Sequence, residues 1–278
     1  MATQDGPKYP GPQEGLIYCF DAKNPKVWSG GNTFNNLQTS TTTKNTDGSL
    51  SAISGSGLNI SSDELDGMVS SEGYITLDGT DDIIHMGPIS GSTTAGSCTP
   101  GFQVEDELTI SVWCRPRLGN WTQRPFSYTG LGAASGYGIY MNYYWKAWVA
   151  EPTNSEKTAM WRNNNSPADL IVTNTWYNVV GRKKANGISD NLSCWVNGVE
   201  GNIGASTYNT VDSIEYTAGH AIYWPLRATI GSAGWRSSDN YMINEFNGDI
   251  AIVMVYNRAW SDAEIQSHFN TLKNRFGL

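Results

Sequence analysis

The chain has 278 residues, a formal net charge of −8, 39% apolar and only 16% charged residues, so its polarity comes from Gly, Ser, Thr and Asn. Nucleic-acid binding needs clustered Lys and Arg to displace counterions, and 18 such residues against 26 acidic ones form no large cluster. The longest apolar run, Ile250 to Tyr256, is about a third of what a membrane-spanning helix needs. The aromatic fraction of 12%, with 11 Trp and 14 Tyr, favours strands over a helical bundle or a disordered chain.

In chain order, residues 1–14 are a Pro- and Gly-rich arm, expected to be extended. The opening MATQDGPKYPGPQ has neither the basic region nor the apolar core of a secretory signal, so export by that route is not expected. Gly15 to Asp21 reads as the first strand, and 24–37 as a turn-rich loop. Residues 38–72 are poor in large apolar side chains, with short strands expected near Leu50–Ile53 and Leu58–Ile60. Tyr74 to Asp78 alternates, Gly79-Thr80-Asp81 turns and Asp82 to Met86 returns, which predicts a hairpin. Leu108 to Pro116 places Leu108, Ile110, Val112 and Cys114 on one strand face, and Pro116 ends it.

Residues 120–150 are dense in aromatics and fit short strands broken by Gly. Leu170–Val172, Trp176–Arg182 and Asn191–Val196 follow, the last closed by an Asn197-Gly198 turn. Arg182, Lys183 and Lys184, before Ala-Asn-Gly, read as a solvated hairpin turn rather than a nucleic-acid patch. Leu226–Gly231 and Asp249–Tyr256 complete the set. About a dozen strands without βαβ alternation predict an all-β sandwich.

One helix closes the chain. Ser261 is its N-cap, Glu264 completes a capping box, and Ile265, Phe269, Leu272 and Phe276 form one apolar stripe ended by Gly277. So short a helix is not stable alone, and must dock on the sandwich or on a neighbouring subunit. Cys19, Cys98, Cys114 and Cys194 lack zinc-site spacing, and Cys19, Cys114 and Cys194, each in an apolar strand pattern, are expected as buried free thiols.

Several segments together resemble the laminin G-like branch of the concanavalin A-like lectin/glucanase superfamily. They are GLIYCFDAKNP (15–25), YITLDGTDDII (74–84), LTISVWCRP (108–116), WYNVVGRK with LSCWVNGV (176–199), and RATIGS with FNGDIAIVMVYNRAWSDAEIQSHFNTLKNRFG (227–277). The resemblance implies a two-sheet antiparallel jelly-roll sandwich over 15–278, with one short C-terminal α-helix and the arm 1–14 outside it. The last segment is similar to versions in tailed-phage structural proteins. It implies a non-enzymatic virion component (head decoration, fibre or tail), assembled in a host cytoplasm, oligomeric or lattice-bound, and touching other virion proteins through the arm. Neither nucleic acid nor membrane insertion is expected.

The same fold carries two alternatives, a lectin-like carbohydrate-binding module and a glycoside hydrolase. For the hydrolase, glucanases of this fold carry E-x-D-x-x-E on a strand. Here Glu64-Leu65-Asp66 has Val69 at the third acidic position, and Glu105-Asp106-Glu107 lacks the spacing, so no catalytic residue is assigned. For a sugar or host-surface glycan, Trp121, Tyr143, Tyr144, Trp145, Trp148 and Trp161 are the candidates, with Asn163–Asn165 nearby. Core and interface packing is the competing reading for those aromatics. No cofactor is expected except calcium, for which Asp78, Asp81, Asp82, Asn247 and Asp249 supply hard oxygens, although such residues also make ordinary turns. Relative to the family pattern, 117–165 is rich in aromatics and the loop 200–225 is long.

Overall fold

A computed structural model describes residues 11–24, 33–35, 49–52, 70–80, 82, 84–86, 102–104, 106–118, 122–129, 136–151, 155–161, 170–201, 210–214, 216, 227–233, 235–236, 241–242 and 244–278. The expected strand near Leu58–Ile60, Cys98, Asn163–Asn165 and residues 1–10 of the arm lie outside them.

Two antiparallel sheets face each other. The seven-stranded sheet contains β1 (Leu16–Asp21), β4 (Ile75–Asp78), β6 (Leu108–Pro116), β11 (Tyr177–Lys183), β12 (Leu192–Val196), β13 (Val199–Glu200) and β17 (Asn247–Tyr256). Its order is β1-β17-β6-β11-β12-β13, with β4 also on β17: β4 takes Asn247 to Ile250 and β1 takes Ile252 to Tyr256. The eight-stranded sheet contains β2 (Thr33–Asn35), β3 (Ser49–Ala52), β5 (Ile84–Met86), β7 (Gln123–Thr129), β8 (Tyr137–Asn142), β9 (Tyr144–Glu151), β10 (Ser155–Met160) and β14 (Arg227–Ile230). It runs β10-β9-β8-β7-β14-β5-β3-β2. A short ribbon pairs β15 (Trp235–Arg236) with β16 (Tyr241–Met242).

The core lies between the sheets, where the strand period of two sends alternate residues inward. Ile110 and Gly181 are register partners, and a Cβ on Gly181 would lie 2.8 Å from Ile139 Cδ1 and 2.9 Å from Ala147 Cβ across the gap. The two layers meet closely there because position 181 has no side chain. Leu108, Ile110, Val112 and Cys114 share that inward face, as their alternation predicts. Cys19, Cys114 and Cys194 are buried free thiols, and burial pushes each one up, Cys194 to about 12.

The opposite face of β6 is buried as well. Thr109, Ser111 and Trp113 are covered by helix α1 (Asp262–Leu272) and the 3₁₀ turn Lys273–Phe276. Ser261 and Glu264 form the complete capping box, and Gly277 closes the turn at φ 72°. Trp113 stacks on Phe276 at 4.4 Å and Phe269 at 5.9 Å. Its indole N–H donates to His268 Nε2 at 3.0 Å. The helix therefore docks on its own sandwich. His268, buried but absent from the apolar stripe, is the polar centre of that contact.

Two expectations are corrected. Residues 74–86 do not form a hairpin: β4 joins the seven-stranded sheet and β5 pairs with β14 and β3 in the other. Ile75, Leu77 and Ile84 are all buried, and the intervening turn carries the chain from one layer to the other. Asp82 Oδ2 accepts the Asp78 amide and Asp78 Oδ1 accepts the Thr80 amide, an Asx-type turn that ends one strand. Nor do Arg182 and Lys183 form a solvated turn, since they are 1% and 0% exposed. Arg182 donates to Asp262 Oδ1, the Trp260 carbonyl and Ser193 Oγ, and lies over the Trp195 ring, so it clamps the start of α1 to β11. Lys183 donates to the Asp106 carbonyl and to Asn186 Oδ1.

The end of the arm is strapped to the far end of the chain. Arg258 Nε donates to the Glu14 carbonyl at 2.8 Å, and Asn257 N donates to the Gly15 carbonyl at 2.9 Å. A Cβ on Gly11 would lie 2.9 Å from Tyr256 Oη and 3.4 Å from His268 Nδ1, which places it beside α1.

Candidate functional site

The aromatic stretch folds as the strands β7, β8, β9 and β10 at one edge of the eight-stranded sheet. Tyr137, Ile139 and Met141 of β8, and Trp145, Ala147 and Val149 of β9, are buried toward the other sheet. Alternation sends Gly138, Tyr140 and Asn142, and Tyr144, Lys146 and Trp148, to the outer face. The register pairs them as Gly138 with Trp148, Tyr140 with Lys146 and Asn142 with Tyr144.

Trp148 is 1% exposed, with its indole over Gly138: a Cβ there would sit 2.7 Å from both Trp148 Nε1 and the Phe126 carbonyl oxygen. Gly138 is thus the slot that lets a Trp lie flat on the sheet. Above it, the Arg124 guanidinium is 4.6 Å from the Trp148 ring and 5.7 Å from that of Tyr140, while the Lys146 ammonium is 5.1 Å from the same Tyr140 ring. Asn244 holds Arg124 by accepting its amide at 2.8 Å. Next to Asn244, half-buried Glu245 has its carboxyl pushed up by burial, partly offset by a backbone hydrogen bond. Asn142 Nδ2 donates to Thr122 Oγ1 at 3.1 Å. Arg124, Tyr140, Asn142, Tyr144 and Lys146 are all half-buried, so a ring-and-cation surface with polar edges faces outward. Toward the sheet centre, Ser127 and Thr229 are occupied: their hydroxyls meet at 3.0 Å and both donate to the Ser232 carbonyl.

The sequence-predicted aromatics divide. Tyr144 and Trp148 reach this face. Trp145 points into the core against Tyr177, with ring centroids 5.6 Å apart. Residues 145 and 148 are three apart in one strand, and a period of two sends such a pair to opposite faces. Tyr143 sits on the β8–β9 turn at φ 60°, 52% exposed, where its carbonyl accepts the Ile171 amide. Trp161, half-buried, donates to the Val199 carbonyl at 3.1 Å. Trp121 lies outside the described residues. Arg124, Tyr140 and Lys146 were missed, although alternation counted back from Trp148 brings Lys146, and across the turn its register partner Tyr140, to the same side.

Among the described residues, the oxygen ligands considered for calcium are engaged by donors of the protein itself. Asp249, 1% exposed, is held by Arg115 at 2.8 Å, Arg117 at 3.0 Å and the Thr76 hydroxyl at 2.7 Å. Asp78, Asp82 and Asn247 gather at the layer-crossing turn, where Asn247 Nδ2 donates to the Asp78 carbonyl and the carboxylates accept backbone amides. Asp81 lies outside the described residues, as do Glu64, Asp66 and Glu105. Among the described residues no group of three His, Cys, Asp or Glu could hold a metal. The described part of this donor set is spent on arginines and amides and does not fit a calcium ion.

Two facing antiparallel sheets with a docked terminal helix define a jelly-roll sandwich. Residues 90–266 match the laminin G model described as the concanavalin A-like lectin/glucanases superfamily, and the chain belongs to that family. No curated protein matches it. Among solved structures, it is similar to Trypanosoma rangeli sialidase in complex with sialic acid, at 14% identity and TM-score 0.53, covering 95% of this chain and 34% of that one. It is similar to the HCR/D W1238A mutant at 12% and 0.54, covering 92% and 52%. It also resembles the binding domain of Paraclostridial Mosquitocidal Protein 1 at 14% and 0.51, covering 94% and 53%. The chain thus spans between 34% and 53% of these solved chains, and the likeness is one of fold.

Proposed function

We propose that this chain is a non-enzymatic carbohydrate-binding domain whose site is the outer face of β7, β8 and β9. The observation that carries the reading is the half-buried ring surface of Tyr140 and Tyr144, edged by Thr122, Asn142, Arg124 and Lys146. Sugars pack an apolar ring face on aromatic side chains and place hydroxyls on polar groups at the rim. The non-enzymatic part of the reading is supported by Asp249, Asp262 and Glu264, which are held in ion pairs with arginines. A glycan array tests the reading. Binding is expected, and Tyr144→Ala should weaken it about tenfold with an unchanged melting temperature. A folded wild-type chain that binds no glycan at all would sink it.

The finer placement, on a tailed-phage virion, rests on the resemblance of the segment from Phe246 to Gly277. There the domain would serve as a decoration, fibre or tail component. Its test is recovery of the chain from washed particles at fixed copy number, and loss of incorporation when residues 1–14 are removed. Normal occupancy without the arm would exclude it as the anchor.

A further inference from the structure

The polar centre of the helix seat admits one arrangement of protons. Trp113 Nε1 donates to His268 Nε2 at 3.0 Å, and His268 is 3% exposed. An indole nitrogen can only donate, so Nε2 must offer its lone pair and the imidazole proton must sit on Nδ1. Ser111 Oγ lies 3.0 Å from the same Nε2 and accepts Asn178 Nδ2 at 3.1 Å. Trp260 meets the imidazole edge to face at 5.0 Å. Two polar atoms of the seat, Trp260 Nε1 and Asn178 Oδ1, are buried and already unmet. A proton added to Nε2 therefore meets the Trp113 N–H head on. Ser111 can turn its hydroxyl and accept the new N–H, but Trp113 is left as a third unmet group, and the buried ring carries a charge.

The groups packed around the ring do not offset that charge. On α1 and just before it, Asp262 pairs with Arg182 and Glu264 with Arg258. Beyond α1, Lys273 and Arg275 are cations, the second held by Asp21. The strands β6 and β11 present Ser111, Trp113 and Asn178, which do not titrate. On β17 stands Tyr256, with Cys19 of β1 next to it, and burial pushes the ionisation of both up, so both stay neutral. From the arm, a Cβ on Gly11 would lie 3.4 Å from His268 Nδ1, and it is the Glu14 carbonyl that Arg258 binds. We propose that His268 is a proton-sensitive latch: neutral, it holds α1 and residue 11 of the arm on the seven-stranded sheet, and protonated, it releases them together. The latch is independent of the carbohydrate reading.

The experiment follows the full chain from about pH 8 to about pH 5, the range in which imidazole titrates. It reads melting temperature and the amide hydrogen exchange of residues 262–272, corrected for the intrinsic pH dependence of exchange. An imidazole in an opened chain takes up its proton near about pH 6.5, so the seat is whole above that value and weakens below it. One linked proton should raise the opening of α1 about tenfold per pH unit below about pH 6. The Glu264 ion pair titrates lower, from about 4.5 toward 2, and stays outside this window. His268→Gln keeps an acceptor for Trp113 and takes up no proton, so it should abolish the response of α1 and leave whatever the other two of the 3 histidines contribute. Trp113→Phe keeps a ring without the N–H and should weaken the response, which carries the comparison if His268→Gln does not fold. Opening of α1 that is constant across the window in the wild-type chain, or spread evenly over both sheets, overturns the latch. So does a response undiminished in either variant.

Discussion

Gly138 is the smallest residue of the site and its hardest constraint. Its backbone is ordinary strand, so the demand comes from space alone: the missing Cβ is where the Trp148 indole and the Phe126 carbonyl converge, each 2.7 Å away. Carbonyl oxygen cannot retreat without breaking the β7–β8 ladder, so Trp148 must move. Gly138→Ala should cost about 1–3 kcal/mol, the range for overpacking. It should also lift the indole from beneath Arg124. Denaturant unfolding and near-ultraviolet circular dichroism of the indole band check this, and an unchanged aromatic signal would refute the slot. Such a requirement was unreadable in the sequence, where Gly138 is one of 30 glycines. The alternation that places Tyr140, Lys146 and Trp148 together was readable, but only once the strand start was fixed. Grouping all nearby Trp and Tyr by density mixed an inward Trp145 with an outward Tyr144.

At the scale of elements, the terminal helix was the most legible part of the chain because its signals are local. Ser261, Glu264 and the apolar spacing lie within one stretch, and capping depends on neighbours a few residues apart. Its seat was less legible. Thr109 and Ser111, on the face of β6 turned away from the other sheet, meet Arg258, Trp260 and His268 from the far end of the chain. Glu264 shows the electrostatic side of the seat. The Arg258 guanidinium, paired at 2.6 Å, and Ser261 hold its carboxyl down at about 2 against an ordinary 4.5. A depressed carboxyl stabilises the fold above its unfolded value, and that contribution fades as pH falls from about 4.5 toward 2. With the side chain 32% exposed, screening limits the effect to about 1 kcal/mol or less. Glu264→Gln should therefore lower stability at neutral pH and flatten its acid dependence across that window, as followed by melting temperature against pH. A variant retaining the wild-type slope would show that the pair contributes nothing.

For the whole molecule, the sandwich was legible from composition and strand spacing, whereas the partition of strands between sheets was not. Local turn chemistry made 74–86 look like a hairpin, and the pairing of β4 with β17 joins residues far apart in sequence. Such contacts are decided by burial of the whole core, which no short window contains. The same holds for Asp249, a strand-opening calcium candidate in sequence and an arginine-bound anion in the fold. With its carboxylate so occupied, adding calcium should leave the melting temperature where a chelator leaves it. A calcium-dependent rise, which binding to the native state alone would produce, would show that a site exists beyond these residues.

The strap between Gly15 and Asn257, with α1 laid over the seven-stranded sheet, puts residues 11–14 and the C-terminal turn on one side of the molecule. Arg124 and Lys146 lie on the other. Attachment through residues 11–15 or through the C-terminal turn, whether on a bead, a sensor surface or a larger particle, turns the Arg124 and Lys146 face away from the support. Orientation is built into the way the molecule closes, and the handle and the contact surface are kept apart by the full thickness of two sheets.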